Sequence, residues 1–588
     1  MHPSEVIQSV SFESATARLL RSGSKSGDKA WDERANRWIL RAVSMLLVAG
    51  LTPCMVRAQS VDRSAAPPRL EEQQAVDRTG APLHLEEQLA ADRLAASPPA
   101  EEKRIRRTMP WRIVPGIALW ETYTDNVTRA PSASAQSGWI RELVPSLRIE
   151  GIGPRVSGLF DYRLRDLSYA NMSQLNSRQN LLNSNVTIEA AENWFFVDAR
   201  ASITQQNTSA FAATTPNFAS ASSNQTETTV FQLSPYLRGK VSDIAAYQIR
   251  FNQTNSRTSN NTLPATETAE WVARIKNTPS SSKLGWSLDS DALAIRNDAA
   301  GKRQDGRIRG TLIYDIYPEL HASVMYGREN TDYASSTMQS SNTPGIGVEW
   351  SPGARTQFAA VKERRFFGDG RSLVLSHRTP LVALKYTDDK DATVMPNQIA
   401  AGGQGSVYAL MSDLLTSSIP DPVARGQAVK SRLEQTGVSA ISGTIGGFVT
   451  SRIFVSHNRD ASAVLIGRTN TITLTLSQRD RQSIGLGATS VTDSFSSSAD
   501  IRQQIESGAW VHRLSPLSTM TLTASRLHTI GLSTTSSDSR QDAQSLFYTK
   551  QIGAKTSASA GVRRAQFSST ISPGYRESAL VGSLSASF

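Results

Sequence analysis

Residues Asp305–Pro318 read DGRIRGTLIYDIYP. Taken two at a time, Ile308, Gly310, Leu312, Tyr314 and Ile316 fall on one side, and Arg307, Arg309, Thr311 and Asp315 on the other. In a β-strand successive side chains point to opposite faces, so this stretch is a strand with one oily and one charged surface. PRVSGLFDYRLRD (Pro154–Asp166) repeats the device: Val156, Gly158, Phe160, Tyr162 and Leu164 oppose Arg155, Ser157, Asp161, Arg163 and Arg165. NTITLTLSQRD (Asn470–Asp480) sets Ile472, Leu474 and Leu476 against Thr471, Thr473, Thr475 and Ser477. From Trp111 onward such units of ten to fifteen residues recur, broken by Ser, Asn, Thr, Asp and Gly. They number roughly twenty, to within about four.

Two architectures alternate in this way, a soluble sandwich and a membrane barrel. A sandwich core needs denser apolar residues than Gly158, Gly310 and Ala322 supply. Strands of about ten to thirteen residues suit a tilted crossing of a ~25 Å apolar band, whereas soluble strands average about five or six. Hydrophobic residues make up only 39% and charged ones 20% of the 588, which excludes a bundle of membrane helices. The expected fold is therefore all-β: an antiparallel transmembrane barrel of roughly 16–22 strands over residues 111–588, with no open edges.

What precedes it has a different texture. RWILRAVSMLLVAGLTPCMVRAQS (Arg37–Ser60) carries Arg37 and Arg41, an apolar run from Ala42 to Leu51, and small residues leading to Ala58. This is the pattern of a secretory signal cleaved after Ala58, its apolar run too short to span a bilayer. The 36 residues ahead of it are either an extended leader or the product of a start placed too far upstream. Cys54, in LTPC, is the single cysteine. Its removal with the signal leaves no thiol for disulfides or thiolate metal sites. Residues 59–110 form a low-complexity linker holding three fifteen-residue repeats: SVDRSAAPPRLEEQQ, AVDRTGAPLHLEEQL and AADRLAASPPAEEKR. That period fits neither supercoiled-helix repeat, so the linker reads as a solvated periplasmic spacer or a docking segment. Lys103, Arg104, Arg106 and Arg107 end it.

The last strand has its own signature. ESALVGSLSASF places Leu580, Gly582, Leu584, Ala586 and Phe588 on one face. It resembles the C-terminal assembly signal of Gram-negative outer-membrane barrels, which implies the barrel-assembly machinery as a partner through strand addition. A narrower resemblance rests on PGIALWETYTDNV (Pro115–Val127), LVPSLRIEG (Leu143–Gly151), Asp161–Tyr162, and RDASAVLIGRTNTITLTLSQRDR (Arg459–Arg481). These look like the outer-membrane proteins associated with the PEP-CTERM/exosortase system. Thr469, between Arg468 and Asn470, and the repeat-bearing linker depart from that family's pattern. The resemblance implies a porin-like outer-membrane barrel linked to exopolysaccharide or surface-protein export, with polysaccharide or PEP-CTERM proteins as partners.

Alternation assigns Arg148, Arg163, Arg165, Arg200, Arg307 and Arg309 to the lumen, interspersed with Asp161, Asp198 and Asp315. Mixed charge is the ordinary lining of a wet or cross-linked interior; a surplus of arginine would instead favour anionic solutes. The formal charge of +11 would suggest nucleic acid in a cytoplasmic protein. An exported barrel has outer-membrane lipid as its surroundings and no nucleic acid as a partner. Nor do the residues point to an enzyme. VSHNRD holds Ser456, His457 and Asn458, but neighbours on a strand face opposite ways, and His84, His321, His377, His512 and His528 are scattered. No phosphate-loop, dinucleotide, zinc or EF-hand spacing is present, so no cofactor is expected. One stretch breaks the rhythm, residues 388–441. There Ser406 could cap one short helix, and Asp421, Pro422 and Gly437 could bound another, making a partly helical loop that plugs the barrel, caps its rim or stays irregular.

Overall fold

The computed structural model describes residues 109–214, 224–242, 244–259, 263–277, 283–297, 301–394, 447–484, 493–533 and 537–588. The signal with its Ala58 cleavage point, the repeats, and the two helices expected near Ser406 and Asp421 lie outside them.

Alternation becomes strands throughout. The first are β1 (Met109–Thr124), β2 (Gly138–Ile152), β3 (Val156–Tyr169), β4 (Ser177–Ala191), β5 (Phe195–Asn207) and β6 (Gln225–Val241). Then come β7 (Ala245–Thr258), β8 (Thr266–Asn277), β9 (Leu284–Asn297), β10 (Gly301–Tyr317) and β11 (Leu320–Thr331). β12 (Gln339–Asn342), β13 (Gly345–Gly353), β14 (Thr356–Arg365), β15 (Gly368–Arg378) and β16 (Val382–Thr393) follow. The set ends with β17 (Phe454–Ile466), β18 (Asn470–Ser483), β19 (Asp500–Ser515), β20 (Ser518–Gly531), β21 (Asp538–Gly553), β22 (Thr556–Ser569) and β23 (Tyr575–Ser587).

β12 and β13 both pair with β11 and form a single stave. It is interrupted where Pro344 offers no N–H to the ladder, while Thr343 N donates to Gly327 O and Arg364 N to Pro344 O. Every stave is antiparallel to its neighbours, and β23 returns to β1, pairing Gly116–Thr124 with Ala579–Ser587. The result is a closed barrel of 22 strands. Closure satisfies every backbone group that an open sheet would leave bare in lipid.

Apart from the broken stave of β12 and β13, strands run from 10 residues in β14 to 17 in β6 and β10, beyond the expected ten to thirteen. Pairing continues past the apolar band into a polar rim, as at Lys302 and Gln304 of β10. Two boundaries also differ. β1 begins at Met109, just ahead of Trp111. β16 reaches Thr393, so residues 388–393, expected to open the long loop, belong to the wall. Asp389 and Asp391 are held there as inward charges, Asp391 Oδ1 lying 3.0 Å from Arg365 Nη1.

The two ends of the barrel are unlike. Turns at residues 318–319, 354–355, 516–517 and 554–555 are short and share an end with Met109 and the close of β23. The opposite end carries the longer connections, including 125–137, 208–224 and 484–499. Short periplasmic turns, long outer loops and an even strand count are the pattern of outer-membrane barrels. The outside matches. Ile308, Leu312, Tyr314, Val324, Tyr326, Ile346, Leu580 and Leu584 are among the exposed apolar side chains there. Trp111, Trp194, Trp286, Tyr317 and Trp350 ring the short-turn end, as interfacial aromatics do. The chain is an outer-membrane β-barrel. Inside the long-loop end, buried apolar residues form clusters such as Val127, Ile140, Leu167 and Tyr169, or Ala565, Phe567 and Tyr575.

Candidate functional site

At the long-loop end, connections from opposite walls meet. Asn207, the last residue of β5, forms an isolated parallel bridge with Phe448, which precedes β17. Val449 N donates to Asn207 O at 2.8 Å, and Asn207 Nδ2 to Gly447 O at 2.9 Å. In the closed strand order β5 and β17 face each other across the barrel. A third connection joins them. Asp493 caps the short helix α1 (Ser494–Ser497), its side chain accepting from Phe495 N. Ala210 N then donates to Ser494 Oγ at 2.8 Å, and Thr450 Oγ1 to Asp493 Oδ2 at 2.6 Å.

Aromatic packing fills the junction. Phe211, Phe448, Phe454, Phe495, Ala210 and Ile501 form one buried cluster. Phe448 and Phe495 meet edge-on at 5.5 Å between ring centres, an arrangement favoured by the ring quadrupoles. The Arg481 guanidinium lies 5.0 Å from the Phe448 ring centre, a cation–π contact. The strap after β5 continues to the far side, where Thr214 Oγ1 donates to Gln541 Oε1 at 2.7 Å and Gln541 Nε2 returns a bond to Thr214 O. Asn224 folds the strap on itself, accepting from Ser209 N and donating to Ala213 O. Together these contacts form a clasp across the mouth.

Beneath it the inner wall is charged but paired. Arg307 reaches Asp291 at 2.9 Å and Glu363 at 2.8 Å, and Arg309 reaches the same Glu363 at 2.9 Å and Asp289 at 3.5 Å. Arg365 bonds Glu329 at 2.6 Å and Asp391 at 3.0 Å. Arg165 bonds Glu142 at 2.5 Å, and Arg148 bonds Glu150 at 2.9 Å. Arg163 pairs with Asp161 at 3.0 Å, yet its side chain stays 52% exposed against 3% for Arg307 and Arg309. Arg200 stands on the inner face in register with Asn185 and Gln232. Thus all six arginines face inward, and Arg148, Arg163, Arg165, Arg307 and Arg309 are ion-paired there.

Leu580, Gly582, Leu584, Ala586 and Phe588 share the outer face of the closing strand. Leu584 stands opposite Leu119 and Ala586 opposite Ile117, while Phe588 N donates to Pro115 O at 2.9 Å. Ser456 and His457 project to opposite faces, as adjacent positions on β17 must.

No family model matches the sequence, and no curated protein is similar to it. Some solved structures are similar to it at low identity. The FrpB iron transporter from Neisseria meningitidis is 8% identical over 81% of each chain, with a TM-score of 0.43. The siderophore receptor PirA from Pseudomonas aeruginosa is 9% identical over 81% of this chain and 80% of that one, at 0.33. The outer membrane protein opdK from Pseudomonas aeruginosa is 8% identical over 81% and 99%, at 0.31.

Sequence reasoning did not find the clasp or the acidic partners Glu363, Glu329, Asp289 and Asp291. The acids had a signal. SLDSDAL and AVKERR put Asp289, Asp291 and Glu363 on the same inward parity as the arginines. For the clasp the only trace is Phe211, a lone aromatic in the polar run NTSAFAATT.

Proposed function

We propose that the chain is a porin-like channel of the outer membrane whose outer mouth is held by the Phe211–Phe448–Phe495 clasp, and that it catalyses no reaction of its own. The observation carrying this reading is the bridge between Asn207 and Phe448, which ties opposite walls across the bore. A barrel built only as a scaffold has no need of a cross-mouth tie. Conducted solutes would meet a wall of paired charge, so the pore is expected to discriminate weakly between simple anions and cations. The local resemblance to the PEP-CTERM/exosortase-associated barrels supports a place in export of exopolysaccharide or surface proteins. A second reading, a non-conducting anchor displaying its outer loops, is favoured by the burial of inner-wall residues near the mouth, such as Thr226, Thr228, Glu329 and Thr529.

Single-channel recording of the refolded barrel in a planar bilayer tests both. The native chain is expected to dwell closed with brief openings, and Phe211→Ala with Phe448→Ala to raise the open fraction at least tenfold. Silence from both folded proteins would leave the anchor as the reading.

A further inference from the structure

Charge on the outer face of this barrel lies in its rim, and one patch of it runs across five strands. Hydrogen-bonded pairing lays Arg371, Lys390, His457, Asp480 and Arg502 in a single row across β15 to β19. The adjacent row, nearer the short-turn end, sets Asp388 beside Arg459. The next row down is Leu375, Tyr386, Ala461 and Leu476. Parity puts all three rows on the lipid side, so the edge of the apolar band falls beneath the charged pair of rows. Their depth is that of the outer headgroups, where charge on a barrel's lipid face is tolerated.

The patch is also built. Asp388 Oδ1 accepts from Arg371 Nε at 2.9 Å and lies 2.8 Å from His457 Nε2. Arg371 Nη2 and Arg459 Nε both approach His457 Nε2, at 2.6 and 3.1 Å. Arg502 Nε is 2.7 Å from Asp480. Arg371 nevertheless keeps 42% of its side chain exposed. Four permanent cations thus stand over two carboxylates. Two pairs elsewhere on the outer rim match one to one, Glu121–Arg141 and Asp166–Arg178. A positive surplus at headgroup depth, presented by guanidinium groups that bond phosphate in a bidentate fork, selects an anionic partner.

We propose that the outer face of β15–β19 is a binding site for the phosphate of a lipid headgroup in the outer leaflet, held chiefly by Arg371 and Arg459. The test is native mass spectrometry of the refolded full barrel titrated with diphosphorylated lipid A, its dephosphorylated form and inorganic phosphate. Discrete adducts are expected with the phosphorylated lipid only, and Arg371→Gln with Arg459→Gln should weaken them at least tenfold. Asp480→Asn increases the positive surplus and should tighten binding several-fold, an effect no folding defect would imitate. The proposal fails if dephosphorylated lipid binds equally, or if the double variant binds as the native chain does. Displacement of the lipid by millimolar inorganic phosphate would also defeat it, by making the site one for free phosphate. If the double variant does not fold, unchanged or weaker binding by Asp480→Asn overturns it alone.

Discussion

Glu577 shows how a single buried carboxylate can hold several parts of this barrel together. Only 2% exposed, it accepts from Arg563 at 2.5 Å, from Arg129 at 3.2 Å and from Thr124 Oγ1 at 3.3 Å. These groups come from β22, β1 and the connection after β1. Replacing Glu577 with Gln leaves two buried guanidinium groups short of their counter-charge, and breaking such a pair costs about 3–5 kcal/mol. Urea unfolding of the refolded barrel should show that loss, whereas Glu121→Gln at the exposed rim should cost under about 1 kcal/mol. The lumen arginines divide on the same principle. Arg163→Gln removes an accessible charge and is expected to shift ion selectivity with little change in stability. Arg307→Gln is expected to leave selectivity near native and lower stability, since its charge is already spent on Asp291 and Glu363. The inward direction of these arginines was legible in alternation alone. Their pairing was not, because cross-strand partners such as Arg307 and Glu363 are 56 residues apart and depend on register.

At the scale of the strand, β16 and β23 carry the lesson. Sequence reading opened the long loop at Asp388, and the residues from there, DDKDAT (Asp388–Thr393), carry charge on both parities. Pairing with β17 continues to Thr393, with Asp391 on the inner face meeting Arg365 and Asp388 on the outer face meeting Arg371. Period-2 oiliness marks only the part of a strand inside the apolar band; the rim above it is polar on both faces and reads as a turn. A deletion of residues 388–441 is therefore expected to prevent folding, while one confined to 396–445 should retain the wall. Heat-dependent mobility on a denaturing gel separates the two results. For β23, Phe588 is 64% exposed and contributes little packing. Phe588→Ala should thus change the stability of the refolded barrel by less than about 0.5 kcal/mol. If it belongs to an assembly signal, the same variant will sharply reduce the folded barrel recovered from outer membranes.

For the whole molecule, the fold class and the range of strand number followed from outward apolar positions spaced by two. The count of 22 needed the pairing itself, because Pro344 divides one stave into pieces that each resemble a separate short strand. The clasp was hidden for a different reason. Phe211, Phe448 and Phe495 stand in three separate connections and become neighbours only once the barrel closes. Closure itself joins residues 116–124 to 579–587, the most distant strand pairing among the described residues. Until that ladder forms, β1 and β23 each present a row of unmet amide groups to lipid, at several kcal/mol apiece. Losing one stave leaves the remaining 21 facing that penalty on both edges, so the wall has no stable partial form: the seam makes completeness of the ring a condition for staying in the membrane.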